Sequence, residues 1–209
     1  GLDIIAVCDH NTARHLPAIA RVAEEAGLPL LPGMEITTAE EVHLLAYFSS
    51  VDKALEFSDY IYPHLPPIPN RPEFFGEQTL LDSEDEPVGT EPRLLLTALD
   101  LTIGQLTRDI NAAGGLAVPA HINRGANGLL VNLGMLPPDE HFAALEVSNA
   151  VPAPDCDTGA YKLLYSSDAH CLENIAEREY FLNVPECSSK GLFEYLCACR
   201  ERVWSANFC

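Results

Sequence analysis

The 209-residue sequence predicts an α/β fold whose strands aim ionisable side chains at one point. Two observations carry this expectation. Short apolar runs alternate with helical patterns in a β-α-β rhythm. The runs also repeatedly end in His, Glu or Asp: Ile4-Ile5-Ala6-Val7-Cys8-Asp9-His10, Pro32-Gly33-Met34-Glu35, Glu41-Val42-His43, Val118-Pro119-Ala120-His121 and Tyr165-Ser166-Ser167-Asp168-Ala169-His170. Imidazole and carboxylate are the ligands of Zn, Mn and Fe. Several such residues at strand C-termini are what a barrel metalloenzyme requires.

The elements follow in order. Leu2 to Val7 is a continuous apolar run, the pattern of a parallel strand buried on both faces. A helix is predicted from Leu16 to Ala26, with Pro17 in its first turn and Gly27 just past its end. Leu28 to Leu31 reads as a short strand ending at Pro32-Gly33-Met34-Glu35, and Val42 to Phe48 as another. Residues 49 to 101 break the rhythm and are read as an insertion or cap. Tyr62 to Pro72 holds five prolines, and Gln78 to Asp82 with Pro87 to Arg93 form a candidate hairpin. The rhythm then resumes. Thr102 and Gln105 match a capping box for a helix reaching Gly114-Gly115. Leu116 to Pro119, Phe142 to Val147, Leu163 to Ser166 and Glu179 to Val184 read as strands, and Lys190 to Arg202 as a closing helix.

Each ionisable residue has a plain alternative. Asp9-His10-Asn11-Thr12 could be turn chemistry. Glu35 could be a solvated carboxylate, and His43 a satisfied histidine at the core edge. Each of these accounts would have to hold independently, so together they weaken. Asp168 and His170 are two apart, and on an extended segment they point the same way. His15, His64 and His141 lack such settings and are assigned surface or loop roles. Cys8 is read as a small buried strand residue rather than a ligand. No GxxxxGK, GxGxxG or GxSxG is present.

The formal charge of −19 opposes indiscriminate binding to nucleic acid or anionic membrane. It leaves room for a small phosphorylated substrate, because bound metal reverses the local field. The expected partner is therefore a small phosphorylated molecule, with no extended duplex nucleic acid and no membrane. No run approaches the roughly 20 apolar residues of a membrane span, and no signal peptide is expected. Seven cysteines, at 8, 156, 171, 187, 197, 199 and 209, form no CxxC pair and point to free thiols in a reducing cytoplasm.

The motifs Gly1-Leu2-Asp3-Ile4-Ile5-Ala6-Val7, Pro32-Gly33-Met34-Glu35, Pro119-Ala120-His121 and Ser167-Asp168-Ala169-His170, in that order, resemble the PHP (polymerase and histidinol phosphatase) family, in particular its TrpH-like metal-dependent phosphoesterases. The resemblance covers nearly the whole chain. It implies a single domain over 1–209, a distorted (β/α)7 barrel with residues 49–101 inserted, and up to three divalent ions (Mn, Fe or Zn). By the same resemblance Glu35 bridges two ions, and Asp168 binds the first. His43 and His121 complete the second, and His10 and His170 serve the third. Asp9 orients a ligand. The family's first strand carries an Asp-Leu-His-x-His-like motif that is missing from this chain, which starts where the second strand would. The first ion would then keep only Glu35 and Asp168.

The function expected on this basis is a metal-dependent phosphoesterase acting on a nucleotide or short oligonucleotide phosphate ester. An ion-activated water attacks phosphorus. His10, Glu35, Asp168 and His170 are the expected catalytic residues, and Arg124 the contact to a substrate phosphate. A metal-dependent amidohydrolase and a truncated, non-catalytic metal-binding domain are the rival readings.

Overall fold

The computed structural model describes residues 1–159, 161–175 and 179–206. Helix α1 (Leu16–Glu25) forms as expected, with Pro17 where no N–H is needed. It buries Leu16 and Ala23, and Gly27 closes it at φ 64°. Strands β1 (Gly33–Thr37) and β2 (His43–Tyr47) follow. They pair antiparallel, with Glu35 opposite Leu45 and Thr37 opposite His43. The parallel barrel that the family resemblance implies is not followed here, whereas the β-α-β rhythm across α1 keeps its parallel bridge at Ile5–Leu30. Thr38–Val42 is too short for a parallel crossover, which takes a dozen or more residues. It folds instead as a tight turn: Thr38 N–H donates to the Val42 carbonyl at 2.9 Å, and Val42 N–H to Thr38 Oγ1 at 3.2 Å.

The expected first strand, Leu2–Val7, is not regular and is not buried on both faces: Leu2, Asp3 and Ala6 are exposed. Its chain runs parallel to the β1 side with bridges at Ile5–Leu30 and His10–Glu35. Ile5 N–H donates to the Pro29 carbonyl (3.0 Å) and Leu31 N–H to that of Ile5 (2.8 Å). Asn11 N–H donates to the Glu35 carbonyl (2.8 Å), and Glu35 N–H to that of Asp9 (3.1 Å). Those four bonds set the register of His10 against Glu35. Leu28–Leu31 likewise contributes only the bridge at Leu30.

Helix α2 (Val51–Ile61) opens residues 49–101, capped by Ser50, whose hydroxyl accepts from Lys53 N–H. Ala54, Phe57 and Ile61, with Leu65, Leu99 and Leu101, join the main core beside Phe48 and Ile36. A short α3 (Pro72–Phe75) precedes the hairpin β3 (Thr79–Leu81) and β4 (Pro87–Thr90), where a hairpin is expected. Asp82 builds its turn by accepting from the N–H groups of Glu84 and Glu86. Helix α4 (Ile103–Ala112) has the Thr102/Gln105 capping box and buries Ile103, Leu106 and Ile110. Strand β5 (Leu116–Pro119) pairs antiparallel with β2, giving the order β1-β2-β5.

After α5 (Leu129–Leu133), strand β6 (Leu145–Glu146) pairs in parallel with β7 (Leu163–Leu164). Ala143 N–H donates to the Ala117 carbonyl and Ile122 N–H to that of Glu146, both at 2.9 Å, so the β6 chain continues the sheet beyond β5. The expected strand at 179–184 is irregular, with residues 179–181 exposed. Helix α6 (Ser189–Ala206) closes the chain, burying Leu196, Cys199 and Val203. The result is a mixed α/β fold with small sheets. No closed barrel forms among the described residues: the strands fall into one three-stranded and two two-stranded sheets.

Both faces of the three-stranded sheet are covered. Met34, Ile36, Leu44, Ala46 and Ala117 face the large core with α2 and α4, whereas Leu45, Tyr47, Leu116 and Val118 face a second cluster with Leu196 of α6. Side chains alternate along a strand. Glu35, between Met34 and Ile36, therefore projects on the second face.

Candidate metal centre

Three segments bring their side chains to Glu35. His10 arrives beside it through the parallel bridge. His43 begins β2 opposite Thr37, so it is a diagonal cross-strand neighbour of Glu35. His121 lies two residues beyond β5, and Ala120 N–H donates to the His43 carbonyl at 3.0 Å, which ties that segment to β2. His121 has φ 29°, in the left-handed region.

The carboxylate is divided between its neighbours. Glu35 Oε1 lies 3.1 Å from His43 Nδ1 and 3.4 Å from His121 Nε2, and those two nitrogens are 3.2 Å apart. Glu35 Oε2 faces His10 Nδ1 at 3.6 Å. Ligand atoms of His10, Glu35 and His43 lie within 4.8 Å of one another. Four ligands about 2.0–2.1 Å from a tetrahedral ion stand about 3.3–3.4 Å apart. The Glu35–His43–His121 triangle has edges of that length, so these residues fit a divalent cation. His10 Nδ1 is also buried without a hydrogen-bond partner, a lone pair left for a ligand.

The electrostatics of Glu35 and His10 agree with that chemistry, whereas His121 favours a proton that a bound ion would have to displace. Burial works against the Glu35 carboxylate, but bonds from His121 and His43 and the nearby His43 and His10 rings outweigh it, holding it well below the usual carboxylate range. Burial lowers His10, partly offset by Glu35, which favours the neutral imidazole that binds metal. Burial would lower His121 as well, but its bond to Glu35 wins and raises it.

Asp168 and His170 stand apart from this cluster. The Asp168 carboxylate is paired with the Arg124 guanidinium. His170, with its side chain 70% exposed, holds the Asp168 carbonyl through Nδ1 at 2.9 Å and stays 3.9 Å from the Asp168 carboxylate. Both still act electrostatically on His10. Arg124, expected to face substrate, is thus engaged by a residue expected to face metal.

Asp9 and His15 also differ from expectation. Leu81 N–H donates to His15 Nε2 at 3.1 Å, so the ring proton sits on Nδ1 and donates to Asp9 Oδ2 at 2.9 Å. Asp9 thereby anchors the β3 hairpin through His15. Cys8 packs under Gly33: a methyl added there would lie 3.1 Å from its sulfur.

Two residues have long-range roles that the sequence reading does not give. Asn11 is 2% exposed, donates through Nδ2 to the Leu95 and Thr97 carbonyls, and accepts from Thr37 N–H. It fastens the His10 turn to β1 and to residues 95–97. Glu146, 5% exposed, accepts from His121 N–H at 2.9 Å and from the Ser166 hydroxyl. Its signal was present, since it too ends an apolar run, Phe142 to Leu145.

No family model and no curated protein matches this sequence. Among solved structures, the chain is similar to a lesion-specific endonuclease from Pyrococcus furiosus, at TM-score 0.57 and 18% identity, over 81% of this chain and 40% of that one. It is also similar to an Endonuclease Q complex with a 27-mer duplex substrate carrying an abasic lesion at the active site, at TM-score 0.50 and 17% identity, over 73% and 36% of the two chains. At these identities the likeness is one of fold. The chain spans less than half the length of either endonuclease. The second structure overturns the expectation of a small phosphorylated partner with no extended duplex nucleic acid. Net charge sums a whole surface, whereas a phosphate backbone senses the field at the site, which bound ions would reverse.

Proposed function

We propose that this chain is a metal-dependent phosphoesterase domain that cleaves a phosphodiester in nucleic acid. The observation that carries this is the division of one buried carboxylate: Glu35 Oε1 faces His43 and His121, and Oε2 faces His10. That is the arrangement of a ligand shared by two ions. Glu35, His43 and His121 would hold one ion, His10 the neighbouring one, and Asp168 and His170 would complete the set. Bound ions would activate water and offset charge on the phosphoryl oxygens. The residues' own work is to fix positions. Glu35 stays ionised in a buried setting, His10 stays neutral, and Arg124 is within reach of a phosphate once it leaves Asp168.

The likeness in fold to endonucleases supports a nucleic-acid substrate, and the motif resemblance supports assignment to the PHP family, with the TrpH-like branch as the finer placement. Within these 209 residues no His-x-His occurs, so a first ion would rest on Glu35 and Asp168. The Arg124–Asp168 pair favours a second reading, a metal-binding domain without catalysis of its own, because it occupies a carboxylate the reaction would use.

Both readings are tested by loading the purified chain with Mn, Fe or Zn, counting bound ions, and assaying labelled single-stranded and duplex DNA, with and without an abasic site. Cleavage lost in Glu35→Ala supports the enzyme. Bound metal with no cleavage of any strand supports the second reading, and no bound metal overturns both.

A further inference from the structure

We propose that Glu146 is a positioning residue for the metal centre, fixing two ligand-bearing segments from one buried carboxylate. Its two oxygens serve different loops. Oε2 accepts from the backbone N–H of His121, and Oε1 from the hydroxyl of Ser166, two residues before Asp168. Its own carbonyl accepts from Ile122 N–H at 2.9 Å, so β6 grips the His121 segment on both sides of that ring.

Each segment it grips holds a residue in the left-handed region. His121 has φ 29° and Asp168 has φ 48°. A residue in such a region costs of order 1–3 kcal/mol and persists only when its surroundings over-determine it. Ala120 and Ile122 on either side of His121 are fully buried, which fixes the segment's place but not the rotation of its peptide. The bond to Glu146 fixes that rotation, and with it the direction of the His121 ring towards Glu35 Oε1. Glu146 meets the Glu35 cluster at the backbone of His121, not at a ligand atom. It acts through His121 and Ser166.

The role of the centre rests on the metal reading above, and the experiment separates the two. The probes are Co²⁺, followed by its visible absorption, and hydrogen exchange at the His121 amide in metal-free protein. Glu146→Ala removes both acceptors, whereas Glu146→Gln keeps an acceptor for His121 N–H and a partner for Ser166. The expected result is a loss of Co²⁺ affinity in Glu146→Ala of at least about ten-fold, the scale for groups supporting a metal ligand. Its Co²⁺ spectrum is altered, and exchange at His121 is faster. Glu146→Gln restores all three. A side chain with a merely structural role would lower thermal stability and leave the spectrum and affinity of the folded fraction unchanged, and that result overturns the proposal. If Glu146→Ala does not fold, Glu146→Asp replaces it: the charge remains, but the shorter arm cannot span both donors, so the same losses are expected. If the unsubstituted chain takes up no Co²⁺, the metal reading falls. The exchange measurement then still decides whether Glu146 holds His121: faster exchange in Glu146→Ala with rescue by Gln supports that, and unchanged exchange overturns it.

Discussion

Glu35 and His43 meet as diagonal neighbours across the β1–β2 hairpin, with 3.1 Å between Oε1 and Nδ1. The turn Thr38–Val42 creates this contact, since a parallel arrangement would have sent the strand end carrying His43 away from Glu35. Glu35→Ala is therefore expected to remove the shared ligand of the whole cluster. Bound metal and hydrolysis should both fall by more than the roughly 10–100-fold typical of a supporting residue. Lost activity at full metal content would contradict the sharing.

The same carboxylate sets an acid limit on the metal-free protein. Its folded pKa lies below the unfolded value of about 4.3. The stability it contributes is thus fully present above that value and lost as pH falls through the folded one. Chemical denaturation between pH 7 and 3 should show stability falling below about pH 4.5, and Glu35→Gln should flatten that fall. An unchanged acid slope in the variant would place the titrating group elsewhere.

Gly33 allows Glu35 to sit where it does. A methyl there would meet Tyr47 Cδ1 at 2.7 Å and the Ala46 carbonyl at 3.0 Å. The second contact is with backbone and cannot swing away. Gly33→Ala should destabilise the protein by about 1–3 kcal/mol in urea titrations, the usual cost of overpacking. A neutral result would mean that the hairpin opens to admit the methyl.

Part of the site was legible from apolar runs that lead into ionisable residues: His10 and His121 follow Leu2–Val7 and β5. Glu35 instead sits mid-strand in β1, and His43 begins β2. The helix ending at Gly27 and the Thr102/Gln105 cap follow from local chemistry. Strand direction did not, because an apolar run reads the same in a parallel and an antiparallel sheet. The partners of Asp168 and Asp9 were also hidden, since Arg124 and His15 reach them through folding rather than spacing.

Asn11 shows what local reading misses. Its turn chemistry was visible, but its three bonds span to residues 37, 95 and 97. Asn11→Ala leaves two half-buried carbonyls and one buried N–H without partners and places a residue less suited to φ 53° there. A loss of at least about 2 kcal/mol is expected, from unsatisfied groups at about 1–3 kcal/mol each. Because Asn11 adjoins His10, weaker metal binding should accompany it. Unchanged stability would mean that water replaces all three bonds.

His15 separates anchoring from ligation. It carries the link from Asp9 to Leu81 and touches none of the Glu35 cluster. His15→Ala should therefore leave the metal count unchanged. Two bonds are lost, both partly exposed, so the stability cost should be about 1 kcal/mol. The informative signal is local: the Leu81 amide loses its acceptor, and its hydrogen exchange should accelerate while the amides of β1 and β2 stay protected. Loss of metal with Leu81 exchange unchanged would instead make His15 part of the metal centre, and Asp9 would return to the role of orienting a ligand.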